Sequence, residues 1–84
     1  MTVRTAAACH LRAEALFVSA LQSSDAPSPE QVRRDVASTI HRYGTRGCAE
    51  RLAGEFGDHP EIAAARMRWA LATITAAYSG DSPS

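Results

Sequence analysis

Two helix signals that lie back to back in the second half of the chain constrain its fold most. Apolar residues recur at every fourth position, at Cys48, Leu52 and Phe56, which is the spacing of one face of an α-helix. Gly57 follows at once, and glycine readily adopts the conformation that ends a helix. Pro60 comes soon after, and the first turn of a helix tolerates its missing N–H. The stretch therefore predicts two helices joined by a tight turn.

The same signals occur earlier in the chain. Ser28, Pro29 and Gln31 supply an N-cap, a proline at the first helical position and a capping-box partner. Gly44 then predicts the end of that helix. Much of the 45% apolar content is alanine, which favours helix and allows helices to approach closely. The sequence predicts an all-α domain of four helices, Thr5 to Gln22, Pro29 to Tyr43, Arg46 to Phe56 and Pro60 to Tyr78.

The 84 residues are expected to form one domain, with residues 79–84 as a flexible tail of small and polar residues. If Phe56 is fully buried, its replacement by alanine should cost about 3–5 kcal/mol. The predicted core contains the larger apolar residues of the four stripes, which are Leu16, Phe17, Val36, Ile40, Leu52, Phe56, Met67, Leu71 and Ile74.

The first predicted helix is apolar over more than half of its circumference. Its main stripe includes Leu16 and Phe17, and Leu11, Ala15 and Val18 extend the apolar surface onto a second face. Such a helix packs either between two helices of its own chain or against its copy in a dimer. The three residues of the second face are therefore candidate interface residues.

Trp69 is the only tryptophan, and it is either a core anchor or an interface residue. Its position on the last predicted helix, flanking the apolar stripe, allows both interpretations. We therefore count it with the candidate interface residues.

Charge and hydropathy argue against some classes of partner. Nine basic residues, all arginine, balance nine acidic residues, so the chain lacks the basic excess typical of proteins that bind nucleic acid. No apolar run reaches the roughly 20 residues of a membrane span, and no signal segment is recognisable. The protein is expected to be cytoplasmic, with no membrane association.

The residues that most often carry chemistry show no functional spacing. Cys9 and Cys48 lie far apart and each falls on an apolar stripe, so they are expected to be buried thiols, with a disulfide between them as the alternative. His10, His41 and His59 are not spaced as metal ligands. No nucleophile with a base partner is evident. A non-enzymatic protein without metal, cofactor or small-molecule substrate is expected.

The second half of the chain contains the short motifs Leu52-Ala53, Phe56-Gly57, Arg66-Met67-Arg68 and Ala70-Leu71. At these offsets they resemble a known DNA-binding motif, the C-terminal helix-turn-helix of sigma factors. This resemblance covers roughly residues 50–71 and implies that the third and fourth helices form a hairpin whose second helix reads promoter DNA. It would direct Arg66 and Arg68 toward DNA and bring Arg46 and Arg51 near the backbone.

Two functions follow from these features. The first is a small regulatory or protein-interaction module that self-associates through the broad apolar face of the first helix. The alternative is a helix-turn-helix transcriptional regulator that binds DNA through its arginines. Asp58 and Glu61, at the start of the would-be reading helix, would repel phosphates, which favours the first function.

Overall fold

The structure, a computed structural model, describes residues 2–79, with side chains described from His10 onward. It contains three helices, α1 (Thr2–Val18), α2 (Pro29–Asp58) and α3 (Pro60–Ala77), and a short 3-10 helix at Ser23–Asp25. Each α-helix packs against the other two. Because no strand occurs between residues 2 and 79, the predicted all-α class is confirmed for this part of the chain.

The four-helix count is not confirmed, because the predicted second and third helices join across a kink within one element, α2. In α2 only Gly44 departs from helical geometry, with φ 72° and ψ 172°. This left-handed conformation is open to glycine because it has no Cβ, so the chain bends at one residue and continues as helix. The predicted break is therefore a kink, and only His59 separates α2 from α3.

The first helix ends earlier than predicted, at Val18 instead of Gln22. The Ser19 hydroxyl donates a hydrogen bond of 2.6 Å to the Leu16 carbonyl, which offers the backbone an alternative to further helix. The Gln22 amide donates to the Asp25 carboxylate at 2.9 Å and opens the 3-10 turn. The helix also begins at Thr2 instead of Thr5. The predicted burial of Cys9 and the tail beyond Ser79 lie outside the described residues.

The core is built largely from alanine and medium-sized apolar side chains. Four predicted core residues, Leu16, Phe17, Val36 and Ile74, are buried, and three others, Ile40, Leu52 and Met67, are half-buried. The remaining buried residues are Ala13, Ala15, Leu21, Val32, Thr39, Cys48, Ala63, Ala70 and Ala77.

Two predicted core residues are exposed. Phe56, 37% exposed, lies near the end of α2 and stacks on Phe17 with ring centroids 6.0 Å apart. Leu71 is 36% exposed because the buried face of α3 passes through Ala70 and Ile74, and Leu71 lies about 100° around the helix from Ala70. The spacing of apolar residues predicted that both side chains lie in the core, and this prediction is wrong for both.

The broad apolar face of α1 is used inside the chain. Ala15 and Leu16 have no exposed surface, and α1 packs against both α2 and α3. Of the two arrangements that the sequence left open, the structure has the helix between two neighbours of its own chain. The alanines on its faces allow this close approach on both sides.

Candidate functional site

Arg66 of α3 closes the C-terminal end of α1. Its Nε donates a 2.9 Å hydrogen bond to the Phe17 carbonyl, and its Nη2 lies 3.3, 3.0 and 2.8 Å from the carbonyls of Leu16, Ser19 and Leu21. The last carbonyls of a helix have no partner within the helix. α1 has no basic residue in its own last turn, so α3 supplies the positive charge that this end of the helix dipole favours.

Two aromatic rings flank the Arg66 guanidinium. Its central carbon lies 5.6 Å from the ring centroid of Phe17 and 5.0 Å from that of Trp69. Both distances are within the range of a cation–π interaction. Burial lowers the pKa of Arg66, and the nearby Glu55 carboxylate opposes that shift. The group nevertheless stays charged at neutral pH, because an arginine pKa lies far above 7.

Arg33 of α2 closes the C-terminal end of α3, as Arg66 closes that of α1. Its Nη1 donates a 2.8 Å hydrogen bond to the Ala77 carbonyl. The guanidinium of Arg12 stacks over the Tyr78 ring at 3.9 Å, and that of Arg33 lies 5.9 Å from the same ring. α3 also lacks a basic residue in its last turn. Arginines on other helices thus compensate two helix C-termini.

Of the four arginines that the sigma-factor resemblance implied for DNA contact, Arg51 and Arg66 line one cleft near the end of α2. Arg46 and Arg68 are exposed. Arg51 is also exposed, and its guanidinium stacks over Tyr43 at 4.0 Å. Arg66 is turned inward, and its Nε and Nη2 donors are used by backbone carbonyls. The internal contacts of Arg66 argue against a role in reading DNA.

The candidate interface residues on α1 have little free surface. Ala15 is fully buried, so it offers no surface to a partner. Leu11 is half-buried, and Val18 packs against the core. Trp69 contacts Arg66 and also lines an open groove. Val18 lines a separate cleft near the end of α2. Burial of Ala15 and half-burial of Leu11 leave less apolar surface on α1 than the sequence predicted.

An apolar line runs along the outward side of α3. Ile62 at its head is 69% exposed, Ala65, Ala72 and Ala76 are exposed, and Trp69 is half-buried. The residues follow one another at intervals of three and four, which is the spacing of the contact stripe of paired helices. We call this line the α3 seam; it consists of Ile62, Ala65, Trp69, Ala72 and Ala76.

A groove lies beside the C-terminal half of the α3 seam. Its volume is about 310 Å³, and its walls are apolar. Pro27, Pro29 and Val32 form one wall, and seam residues Trp69 and Ala72 form part of the other. The groove therefore shares Trp69, Ala72 and Ala76 with the α3 seam and reaches the loop before α2.

A second cleft, of about 360 Å³, lies where α1, α2 and α3 meet near the end of α2. Arg51 and Arg66 line it together with Glu55 and Asp58, so its formal charges cancel. Phe17 supplies an apolar wall. The cancelling charges give the cleft no preference for a cation or an anion.

Cys48 is fully buried and forms no disulfide. Burial is the main cause that raises the pKa of its thiol; the Glu14 carboxylate adds to the shift, and Arg51 acts in the opposite direction. A thiol with a raised pKa is a poor nucleophile at neutral pH. The residue therefore acts as a small apolar side chain in the core.

The described residues contain neither a cluster of metal ligands nor a helix suited to a membrane span. Among the side chains from His10 to Ser79, no group of three His, Cys, Asp or Glu residues is close enough to hold a metal ion. Within residues 2–79, none of the helices combines the length and the apolar character needed to cross a membrane.

Comparison with known proteins gives no family for this chain: no protein-family model, curated protein or solved structure matches it. Its function must therefore be argued from its own residues.

Sequence reasoning missed the α3 seam and the two capping arginines. The seam had a detectable signal, because Ile62, Ala65, Trp69, Ala72 and Ala76 repeat at intervals of three and four next to the buried stripe. The contact between Arg66 and Phe17 had no detectable signal in the sequence, because it joins residues 49 positions apart. Nothing in the spacing of arginines shows which of them turn inward.

Proposed function

We propose that this domain is a small, non-enzymatic protein-interaction module that self-associates through the α3 seam. The observation that carries the proposal is the 69% exposure of Ile62 at the head of a line of apolar residues. Burial of an isoleucine side chain is worth about 1.5–3 kcal/mol, so a partner that covers it gains that free energy. A regulatory role would follow from the change between free and associated states.

The choice of surface rests on what the helix bundle leaves uncovered. The apolar face of α1 is already buried, with Ala15 at 0% exposure. On α3 the apolar residues divide into a buried stripe through Ala70 and Ile74 and the exposed seam with Ile62 and Trp69. A helix with apolar residues on two sides has one side to offer to a partner.

A second copy of this chain is the proposed partner. The seam contains two large residues, Ile62 and Trp69, and three alanines, so a copy of the seam can fill its own hollows. Formal neutrality adds a second argument, because copies with zero net charge do not repel one another over long range.

Sedimentation equilibrium over a wide concentration range tests the proposal. The wild-type chain should shift from monomer to dimer as concentration rises, and Ala65→Arg should stay monomeric because it places a charge in the middle of the seam. Ala37→Arg is the matched control, since Ala37 is an exposed alanine on α2 outside the seam. A wild-type chain that remains monomeric at millimolar concentration would rule the proposal out.

The alternative function is a DNA-binding regulator of the helix-turn-helix type. The exposed side chains of Arg46 and Arg68 favour it. The internal contacts of Arg66 and the exposed acidic residues Asp58 and Glu61 at the start of α3 weigh against it. Only one residue joins α2 to α3, whereas helix-turn-helix motifs use a turn of about three or four residues.

A duplex of mixed sequence distinguishes this alternative by light scattering coupled to size-exclusion chromatography at low salt. DNA binding would appear as a complex that dissociates as salt rises and that an Arg46→Ala, Arg68→Ala double variant cannot form. An elution unchanged by DNA, with a dimer present, is the result we expect.

A further inference from the structure

We infer that two copies pair through antiparallel α3 helices, with Ile62 of each copy on Ala72 of the other and Trp69 of each on Ala65 of the other. This inference rests on the proposed function, because it assigns the orientation and register of that self-association. Three features support it: the order of large and small residues along the seam, the direction of the helix dipoles, and the charges at the two ends of α3.

The order of residue sizes favours the antiparallel arrangement. When two antiparallel helices place Ile62 opposite Ala72, the same register places Ala65 opposite Trp69, so both large residues of each copy meet an alanine. A parallel pair in register would instead set Trp69 against Trp69 and Ala72 against Ala72. That arrangement crowds two layers and leaves voids in the others, and both cost free energy.

The second feature is the electrostatic direction of the helix. Antiparallel pairing brings the positive N-terminal end of each α3 beside the negative C-terminal end of the other. Parallel pairing would bring like ends together. A symmetric antiparallel dimer contains two such pairs of opposite helix ends, and both pairs favour this arrangement.

Charged side chains at the two ends of α3 add to this preference. Asp58 and Glu61 are exposed at its N-terminal end. Arg12 and Arg33 lie at its C-terminal end, where both guanidinium groups approach the Tyr78 ring. An antiparallel dimer therefore places an acidic end near a basic end on each side of its two-fold axis.

The size of the surface predicts a dimer that dissociates on dilution. From Ile62 to Ala76 the seam is about 21 Å long, and a helix with its side chains is about 10–12 Å wide. This strip is smaller than the roughly 800 Å² that each partner buries in a standard interface. The groove wall formed by Pro27 and Pro29 extends this apolar strip at one end.

Disulfide trapping tests the orientation. An Ile62→Cys variant and an Ala72→Cys variant, both carrying Cys9→Ala, are mixed at equal concentration and oxidised, and the linked dimers are identified by mass. Cys48 stays in place because it is buried. The antiparallel register predicts the mixed disulfide, since the two engineered positions face each other only between unlike variants.

Neither variant should link to itself in this register. Two copies of position 62 would lie about 15 Å apart along the helix axis, well beyond the roughly 7 Å limit between the Cα atoms of a disulfide. A parallel dimer would give the reverse pattern, with each variant linked to itself.

The outcomes separate the orientation from the self-association itself. A mixed disulfide in at least about tenfold excess over either self-linked dimer supports the inference, because only that pair is within bonding range. Self-linked dimers, or a mixture of the two variants that sediments as a dimer but forms no disulfide, overturn the antiparallel pairing and leave the proposed function standing. A chain that is monomeric by sedimentation overturns both.

Discussion

Nε of Arg66 in α3 donates a 2.9 Å hydrogen bond to the carbonyl oxygen of Phe17, in the last turn of α1, 49 positions earlier in the sequence. The same guanidinium serves the carbonyls of Leu16, Ser19 and Leu21. A planar group with several donors in fixed directions suits such a cluster of acceptors. One side chain thus ties the first and third helices together at the point where α1 ends.

Replacing Arg66 by methionine should therefore destabilise the domain while leaving its helix content largely intact. We expect a loss of about 1.5–3 kcal/mol in the free energy of unfolding, the range for a hydrogen bond to a charged group. Urea denaturation followed by circular dichroism measures it. Arg68→Met is the matched control, because Arg68 is exposed on the same helix. Equal losses for the two variants would contradict the capping role.

The Arg33 contact with the Ala77 carbonyl predicts a local effect at the end of α3. Arg33→Ala should raise the hydrogen-exchange rates of amides in the last turn of α3, because the charge that compensates this helix end is lost. Arg34→Ala is the control, since Arg34 is an exposed neighbour on α2. Unchanged exchange in the Arg33 variant would show that the hydrogen bond does not hold the helix end.

Two glycines of α2 should respond to alanine with opposite signs. Gly44 has φ 72° and ψ 172°, a region that is almost closed to other residues, so Gly44→Ala should cost about 1–3 kcal/mol. Gly54 has no positive φ, and a Cβ there would meet no atom within 4 Å. Gly54→Ala should stabilise the domain by about 0.4–1 kcal/mol through the unfolded state. Thermal melts of both variants give the comparison, and a common sign would contradict the assigned kink.

Local signals predicted most helix starts in this chain, and they failed where the outcome depended on distant residues. The Ser28 cap is confirmed, because its hydroxyl accepts a 3.2 Å hydrogen bond from the Gln31 amide. Pro60 begins α3 as predicted. Gly44 was a correct signal for the end of one helical run, and the helix predicted from Arg46 follows it as the second part of the kinked α2.

The candidate site was less predictable than the fold. Arginines on a helix surface look alike in sequence, yet Arg66 is turned inward and Arg68 outward. That difference is set by where α1 ends, which depends on packing between segments far apart in the chain. The exposure of Ile62 also depends on packing between distant segments, since α1 and α2 decide which side of α3 is covered.

The exposure of Phe56 lowers the cost expected for its removal. Phe56→Ala should cost about 1–2 kcal/mol instead of the roughly 3–5 kcal/mol of a fully buried phenylalanine, because 37% of its surface is already exposed. Leu16→Ala, at a side chain with no exposure, should cost about 2–5 kcal/mol. Chemical denaturation of the pair checks the order. A larger loss for Phe56→Ala would place the centre of the core at the end of α2.

The buried thiol of Cys48 predicts how stability changes in alkaline solution. Burial raises its pKa in the folded state, with the Glu14 carboxylate adding to the shift, so above the ordinary thiol pKa the folded chain holds a proton that the unfolded chain releases. The stabilising contribution is complete below the unfolded pKa and is lost as pH rises toward the folded pKa. In that window one such group lowers the free energy of unfolding by up to about 1.4 kcal/mol per pH unit.

Urea unfolding at several pH values between 7 and 10, compared with Cys48→Ala, measures this contribution. The variant should be less stable at neutral pH, since it loses packing at a fully buried position, but its stability should fall less steeply above pH 9. The comparison with the variant matters because it subtracts every effect of alkaline pH that the two proteins share. Parallel curves for the two proteins would show that the Cys48 thiol ionises in the folded chain as readily as in the unfolded one.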